Sequence, residues 1–134
     1  EPKLKRVDKI KSFNEKNGIK SICFFDDAYP ELFKDITDKP IVINYIGDII
    51  AINRRPSVAV IGTREPTESG AKAAIRFGEI FGEAKFNVIS GLAIGCDSGG
   101  HKGCLNKNGF STAIIFRIPC GGPNIASIGA FQTE

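Results

Sequence analysis

The chain has 134 residues, of which 42% are hydrophobic and 25% are charged. This is the composition of an ordinary globular protein, with enough apolar residues for one core and hardly for two. A formal net charge of +3 excludes a strongly acidic or strongly basic chain. Basic residues nevertheless crowd the first segment, namely Lys3, Lys5, Arg6, Lys9, Lys11, Lys16 and Lys20. Such a segment suits a polyanionic partner, and a solvated helix face without a function has the same pattern.

The four cysteines form no CxxC pair, and we identify neither a signal peptide nor a membrane-length apolar run. We therefore expect a reduced, cytoplasmic protein that does not enter a membrane. Cys96, His101 and Cys104 fall within nine positions and have the chemistry of zinc ligands. Because zinc sites favour paired short spacings and a fourth ligand, we predict no metal, and we expect no cofactor.

The first part of the chain predicts a small α+β module. Residues 3–17 carry an apolar residue at every third position among lysines, which indicates an amphipathic helix. A strand over residues 19–25, a short helix over 31–36 and a strand over 41–46 are predicted to follow. We interpret residues 1–55 as an N-terminal helix and strand module that packs on the rest of the chain.

After Pro56 the pattern changes to the alternation of strands and helices that a parallel sheet requires. The predicted strands cover residues 58–61, 86–89 and 112–116, and the predicted helices cover residues 68–84 and 99–106. We therefore predict an α/β fold, a Rossmann-like three-layer sandwich with a mainly parallel sheet, over residues 56–134. Residues 118–134 do not predict further strands, so we expect this core to be incomplete.

Two glycine-bearing loops each follow a predicted strand and lead into a helix. In the first, Gly62 lets the chain leave the strand sharply, Thr63 offers a hydroxyl, and Arg64 presents a planar fork of donors suited to a phosphate. Carboxyl ends of parallel strands share one edge, and helix N-termini favour negative charge. We therefore expect both loops to line one anion-binding crevice, at a point where the two crossovers diverge to opposite faces of the sheet.

The second loop and its helix supply the remaining candidates. Gly91 and Gly95 permit close backbone approach, and Ser90 supplies a hydroxyl. Asp97 either caps a helix that starts near Gly99-Gly100, which we favour, or bonds a ribose hydroxyl. His101 and Lys102 are expected in the first turn, where Lys102 could reach a phosphate and His101 either bonds into the crevice or packs. The predicted phosphate-binding or DNA-binding set is Gly62, Thr63, Arg64, Ser90, Gly91, Ala93, Gly95, Asp97, His101 and Lys102. No array of nucleophile, base and orienting acid is recognisable, so we predict no catalytic residue.

Several motifs lie in a characteristic order over roughly residues 20–117. They are Tyr29-Pro30-Glu31-Leu32, Asp38-Lys39-Pro40, Gly47, the run from Val58 to Arg64, Gly70, the run from Ser90 to Asp97, His101 and Leu105. Together they resemble the DNA-processing protein A family (DprA, also called Smf), with the C-terminal part of the family pattern missing.

The resemblance implies a bacterial cytoplasmic protein without enzymatic activity that binds single-stranded DNA. Such a protein protects incoming strands during natural transformation and loads a RecA-type recombinase for recombination. An extended Rossmann fold, a homodimer and a basic pocket at the carboxyl edge of the sheet are also implied. Residue by residue, the resemblance makes Arg64 the main phosphate contact and Lys102 a supporting cation, with a backbone cradle of Ser90, Gly91 and Gly95.

The alternative function is that of a nucleotide-binding sensor or a nucleotide phosphoribohydrolase with a related Rossmann domain. A single phosphate would suit the same two loops. Aromatic residues suited to stacking on DNA bases are Tyr29, Phe110, Phe116 and Phe131, whereas Phe24, Phe77, Phe81 and Phe86 are expected in the core.

Overall fold

The computed structural model describes residues 2–117 and 125–131. The helices are Pro2–Lys16 (α1), Glu31–Lys34 (α2), Ile50–Arg54 (α3), Glu68–Glu83 (α4) and Cys96–Asn106 (α5). The strands are Lys20–Cys23 (β1), Val42–Ile46 (β2), Ser57–Ala59 (β3), Asn87–Ser90 (β4), Phe110–Arg117 (β5) and Ile125–Phe131 (β6). The predicted elements are all present, with shifted ends, and α3 and β6 are additional.

The strands form one mixed sheet in the order β1-β2-β6-β5-β4-β3. Strands β3, β4 and β5 are parallel neighbours, β6 runs antiparallel to β5 and parallel to β2, and β1 is antiparallel to β2. The α/β Rossmann-like fold is thereby confirmed. Strands from residues 1–55 and from residues 56–134 share this sheet, and a domain boundary between the two segments stays a prediction.

The expectation that residues 118–134 contain no further strand is wrong, because β6 lies between β2 and β5. The sequence of β6 is rich in small residues and contains Gly129, which weakens the local preference for strand. Strand β6 is held by pairing with a strand on each side. Gly129, for example, pairs with Ala113 of β5 and with Ile46 of β2. Long-range pairing of this kind leaves no local signal. Residues 118–124 and 132–134 lie outside the described residues.

Helix α4 has a side-chain cap at its start, because the Thr67 hydroxyl accepts a hydrogen bond from the Gly70 N–H at 3.2 Å. Gly78 and Gly82 of α4 face α5. A Cβ atom on Gly78 would lie 2.9 Å from Cys104 N, and one on Gly103 would lie 2.9 Å from Glu79 N. Helices α4 and α5 therefore pack backbone to backbone on the same face of the sheet.

This packing corrects the expected position of the crevice. Because β3, β4 and β5 are adjacent in chain order and their connecting helices contact each other, the two crossovers do not diverge between the glycine loops. The loops still share the carboxyl edge of the sheet, since β3 and β4 are parallel neighbours.

Two apolar clusters stabilise the fold. The first cluster contains Val60, Val88 and Cys104, the last of which belongs to α5. The second cluster contains Ile22, Tyr29, Ile43, Ile49 and Ile52. Ile114 of β5 packs against the second cluster, so the N-terminal elements contact the sheet centre. The apolar stripe of α1 is different, because Val7, Ile10 and Phe13 are all exposed.

Candidate functional site

The two glycine loops meet at the carboxyl ends of β3 and β4. The Cys96 N–H donates to the Thr63 carbonyl at 3.1 Å, which ties the start of α5 to the first loop. Gly95 has φ +88, and a Cβ there would lie 2.6 Å from the Arg64 carbonyl oxygen and would also collide with that of Thr63. Only glycine fits this conformation and this close approach. The predicted juxtaposition of the loops is therefore present.

Asp97 joins the loops through its carboxylate. Its Oδ1 accepts from the Gly62 N–H at 3.4 Å, and its Oδ2 accepts from the Gly91 N–H at 3.1 Å. The side chain is only 8% exposed and lies in the first turn of α5, where a negative charge is favourable. The capping prediction is wrong, because Gly95 is the N-cap and the helix begins at Cys96, before Gly99.

Ser90 also has an internal role. Its hydroxyl donates to the Val60 carbonyl at 2.6 Å, and the residue is buried. The Val60 N–H in turn donates to the Ile89 carbonyl at 3.0 Å. Two hydrogen bonds therefore join the chain just after β3 to the end of β4. The Ser90 hydroxyl proton is therefore committed within the protein and is not free to donate to a phosphate, whereas the backbone role of Ser90 in a cradle stays a prediction.

Arg64, in the first glycine loop, and Lys102, on α5, both have exposed side chains. Within residues 5–115, neither side chain forms an ion pair or a side-chain hydrogen bond. Lys102 lies in the second turn of α5, because the helix starts earlier than the sequence indicates. Thr63 is exposed as well, and its hydroxyl oxygen accepts from the Glu65 N–H at 3.2 Å, which leaves its proton free to donate. Ala93 is half-buried, and its carbonyl accepts from the Ser98 N–H at 3.1 Å.

His101 is buried, with 6% of its surface exposed. Its Nδ1 lies 2.7 Å from the Ser111 hydroxyl, which donates to the Val88 carbonyl at 3.2 Å. Nε2 has no hydrogen-bond partner among the described residues. Burial lowers the pKa of His101, and the nearby Asp97 carboxylate partly opposes that shift. The arrangement favours the packing interpretation of this residue.

Two of the three residues considered as zinc ligands, His101 and Cys104, are engaged in separate hydrogen bonds. The Cys104 thiol donates to the Phe110 carbonyl at 3.3 Å, and burial raises its pKa. In residues 5–115, no group of three or more His, Cys, Asp or Glu side chains converges as a metal site would require. Among the helices of the described chain, none is long and apolar enough to cross a membrane.

The aromatic candidates need correction too. Tyr29 is fully buried, and its hydroxyl donates to the Pro40 carbonyl at 2.6 Å, so it cannot stack on a base. Burial also raises the pKa of Tyr29. Phe110 is buried, whereas Phe77, which was expected in the core, is exposed. The side chains of Phe116 and Phe131 lie outside the described residues.

The signal for the Asp97 contacts was present in the sequence but ambiguous. An aspartate six positions after Gly91 is compatible with a cap, a ligand contact or a loop tie. Ser111, which orients His101, was not predicted at all, because it lies in another strand and shows no motif. Contacts between distant segments decide both roles.

Comparison with known proteins decides the family. The family model described as DNA recombination-mediator protein A matches residues 20–121. The chain belongs to this family. The matched region includes both glycine loops, Arg64, Asp97 and His101, so the resemblance read from the motifs is confirmed.

Individual relatives agree with this assignment. The chain is 32% identical over 93 residues to protein Smf of Synechocystis, covering 67% of this chain and 23% of that protein. It is 30% identical over 110 residues to DNA processing protein DprA of Streptococcus pneumoniae, covering 82% of this chain and 38% of that one. The chain therefore spans well under half the length of these relatives.

Solved structures show the same fold. The X-ray structure of DprA from Streptococcus pneumoniae matches with a TM-score of 0.68 at 26% identity, covering 83% of this chain and 43% of that chain. A Helicobacter pylori DNA processing protein A structure, which concerns its single-stranded DNA binding mode, matches with a TM-score of 0.58 at 19% identity. That second likeness covers 87% of this chain and 57% of the other, and supports the fold alone.

Proposed function

We propose that this chain binds single-stranded DNA through its phosphates, without sequence preference and without catalysis. The observation that carries the proposal is the exposed Arg64 in the first of two loops that Asp97 holds together, with Lys102 as a second exposed cation on α5. Membership of the DNA recombination-mediator protein A family supports it.

We assign most of the proposed phosphate contact to side chains. The Asp97 carboxylate already occupies the N–H groups of Gly62 and Gly91, so these amides are not free to cradle a phosphate. The planar guanidinium of Arg64 can donate two parallel hydrogen bonds to phosphate oxygens, and the Thr63 hydroxyl can donate one. Lys102 adds a point charge from α5. The site therefore acts as a preorganised support for cationic contacts.

Binding rather than catalysis is proposed because the single histidine is buried and hydrogen-bonded to Ser111. A nucleotide hydrolase of related fold is the competing function. Release of free base from AMP by the purified protein would favour that competitor, whereas we expect none.

The wider role is proposed from the family resemblance. We propose participation in DNA uptake and recombination in the cytoplasm, with a RecA-type recombinase as partner and a homodimer as the assembly. These properties belong to whole proteins, of which this chain spans a part.

Arg64→Ala tests the proposal in a salt titration of binding to a fluorescent oligothymidylate. Loss of one phosphate contact should weaken binding and reduce the slope of log K against log salt by about one. Arg76→Ala is the matched control, because Arg76 is an exposed arginine on α4 whose guanidinium lies 3.3 Å from Glu79. Equal affinity and slope for wild type and Arg64→Ala would refute the assignment of this site.

A further inference from the structure

A separate cavity of about 360 Å³ lies away from the glycine loops. Its lining residues are Asp48, Ala51, Arg54, Arg55, Pro56, Lys85 and Phe110. Pro56 precedes β3, Lys85 lies shortly before β4, and Phe110 begins β5. The cavity therefore opens at the amino edge of the three parallel strands, and the length of β4, roughly 13 Å, separates it from the edge that carries Arg64.

The cavity is lined by three cations and one carboxylate. None of the three basic side chains forms an ion pair within the described side chains. The carboxylate of Asp48 is engaged locally, because its Oδ1 accepts from the Ile50 N–H at 3.0 Å at the start of α3. The three cations outnumber the one carboxylate, so the cavity has a net positive charge. In a concave site, low-dielectric walls strengthen the attraction of an anion.

The fold fixes the guanidinium of one cation and the backbone of another. The guanidinium of Arg55 lies over the Phe110 ring, 5.7 Å from its centroid, and Phe110 itself is buried. Lys85 has φ +65, a left-handed backbone conformation that residues other than glycine and asparagine seldom adopt. This conformation lies in the turn after α4, and Lys85 N–H donates to the Gly82 carbonyl at 3.1 Å.

We propose that this cavity is a second phosphate-binding site, which takes the phosphate of a nucleotide, either free or within a strand. Arginine and lysine supply the fork and the point charge that phosphate recognition uses. The volume is within the range of small-ligand sites and holds a phosphate with an attached sugar. The site is distinct from the Arg64 site, so the chain carries phosphate contacts at both edges of its sheet.

The test is a backbone amide NMR titration of the intact chain with inorganic phosphate, dTMP and a short oligothymidylate. Sodium acetate at equal ionic strength is the anion control. We expect saturable shifts at the amides of Arg54, Arg55 and Lys85 with phosphate and dTMP, and none with acetate. A further gain in affinity with the oligothymidylate would identify a strand as the source of the phosphate, and no gain would identify a free nucleotide.

The variant for this test is Arg54→Gln with Lys85→Asn, since asparagine tolerates the left-handed conformation at position 85. Arg55 is kept, because it packs on Phe110. We expect phosphate binding at the cavity to weaken at least about tenfold, as two charge-assisted contacts are lost. The matched control is Lys72→Gln with Arg76→Gln, which removes the same charge from exposed positions of α4.

Three results would overturn the proposal: equal shifts with acetate and phosphate, unchanged phosphate affinity in the double variant, or an equal loss in the control variant. Arg64→Ala separates this proposal from the DNA-binding function, because it should leave the shifts at Lys85 unchanged. A protein that fails the Arg64 test can therefore still show the cavity site.

Discussion

Replacing Asp97 tests how the two glycine loops are held together. In Asp97→Ala, the N–H groups of Gly62 and Gly91 lose their shared acceptor, and the first turn of α5 loses its negative charge. In Asp97→Asn, the side chain keeps one carbonyl oxygen but presents an amide NH₂ group towards the other N–H. Asp97→Ala should therefore lower the free energy of unfolding more than Asp97→Asn.

The magnitude follows from the two distances. The 3.1 Å bond to Gly91 has ordinary length, and the 3.4 Å bond to Gly62 is at the weak limit. A hydrogen bond to a charged group contributes about 1.5–3 kcal/mol, and both loop glycines are exposed, so water recovers part of the loss. With roughly 0.5 kcal/mol from the helix dipole, we expect Asp97→Ala to lower the free energy of unfolding by about 3 kcal/mol, and Asp97→Asn by about half as much.

Urea unfolding measures both values, with Asp27→Asn as the control. Asp27 is an exposed carboxylate, and a surface change of this kind should stay within about 0.5 kcal/mol. Amide exchange provides a local readout, since the Gly91 amide should exchange faster in both Asp97 variants under native conditions. A loss below about 0.5 kcal/mol in Asp97→Ala, or unchanged exchange at Gly91, would refute the loop-tie role.

Two further predictions concern α5. Gly103→Ala should cost roughly 3 kcal/mol in urea unfolding, because its Cβ would collide with the Ile75 carbonyl oxygen, and this outweighs alanine's helix preference of about 1 kcal/mol. Gly70→Ala, whose Cβ would lie 3.3 Å from its nearest neighbour, is the control and should change stability much less. For His101, burial lowers the folded-state pKa below the ordinary 6.5, so its contribution to stability is complete above about pH 6.5 and is lost as pH falls through the folded pKa. His101→Asn should flatten the fall in thermal unfolding midpoint between pH 7 and 5, and an unchanged profile would contradict this assignment.

Local patterns predicted most of the fold. Apolar periodicity identified α1, α4 and the parallel strands. The same patterns placed α5 too late, because Cys96 and Asp97 carry no strong helix signal and the helix is started by contacts between the loops. The short α3 was missed, since its N-cap position is Ile49, a residue type that gives no capping signal.

The residues of the candidate site also differ in how well the sequence predicts their roles. Exposed cations such as Arg64 and Lys102 are recognisable from residue type and from their position after a strand or on a helix. Roles that depend on a distant partner were not recognisable. Ser90 donates to Val60, thirty positions earlier, and the carboxylate of Asp97 reaches Gly62, thirty-five positions earlier.

The sequence by itself determined the alternation of strands and helices, the position of the two glycine loops and membership of the family. These properties depend on periodicity, turn residues and motif spacing, which act over a few neighbouring residues. Only the tertiary structure decided the place of β6, the loop tie at Asp97 and the cavity beside Lys85. Each of these depends on backbone pairing or charge placement between segments far apart in the chain, and such contacts leave no pattern in any one segment.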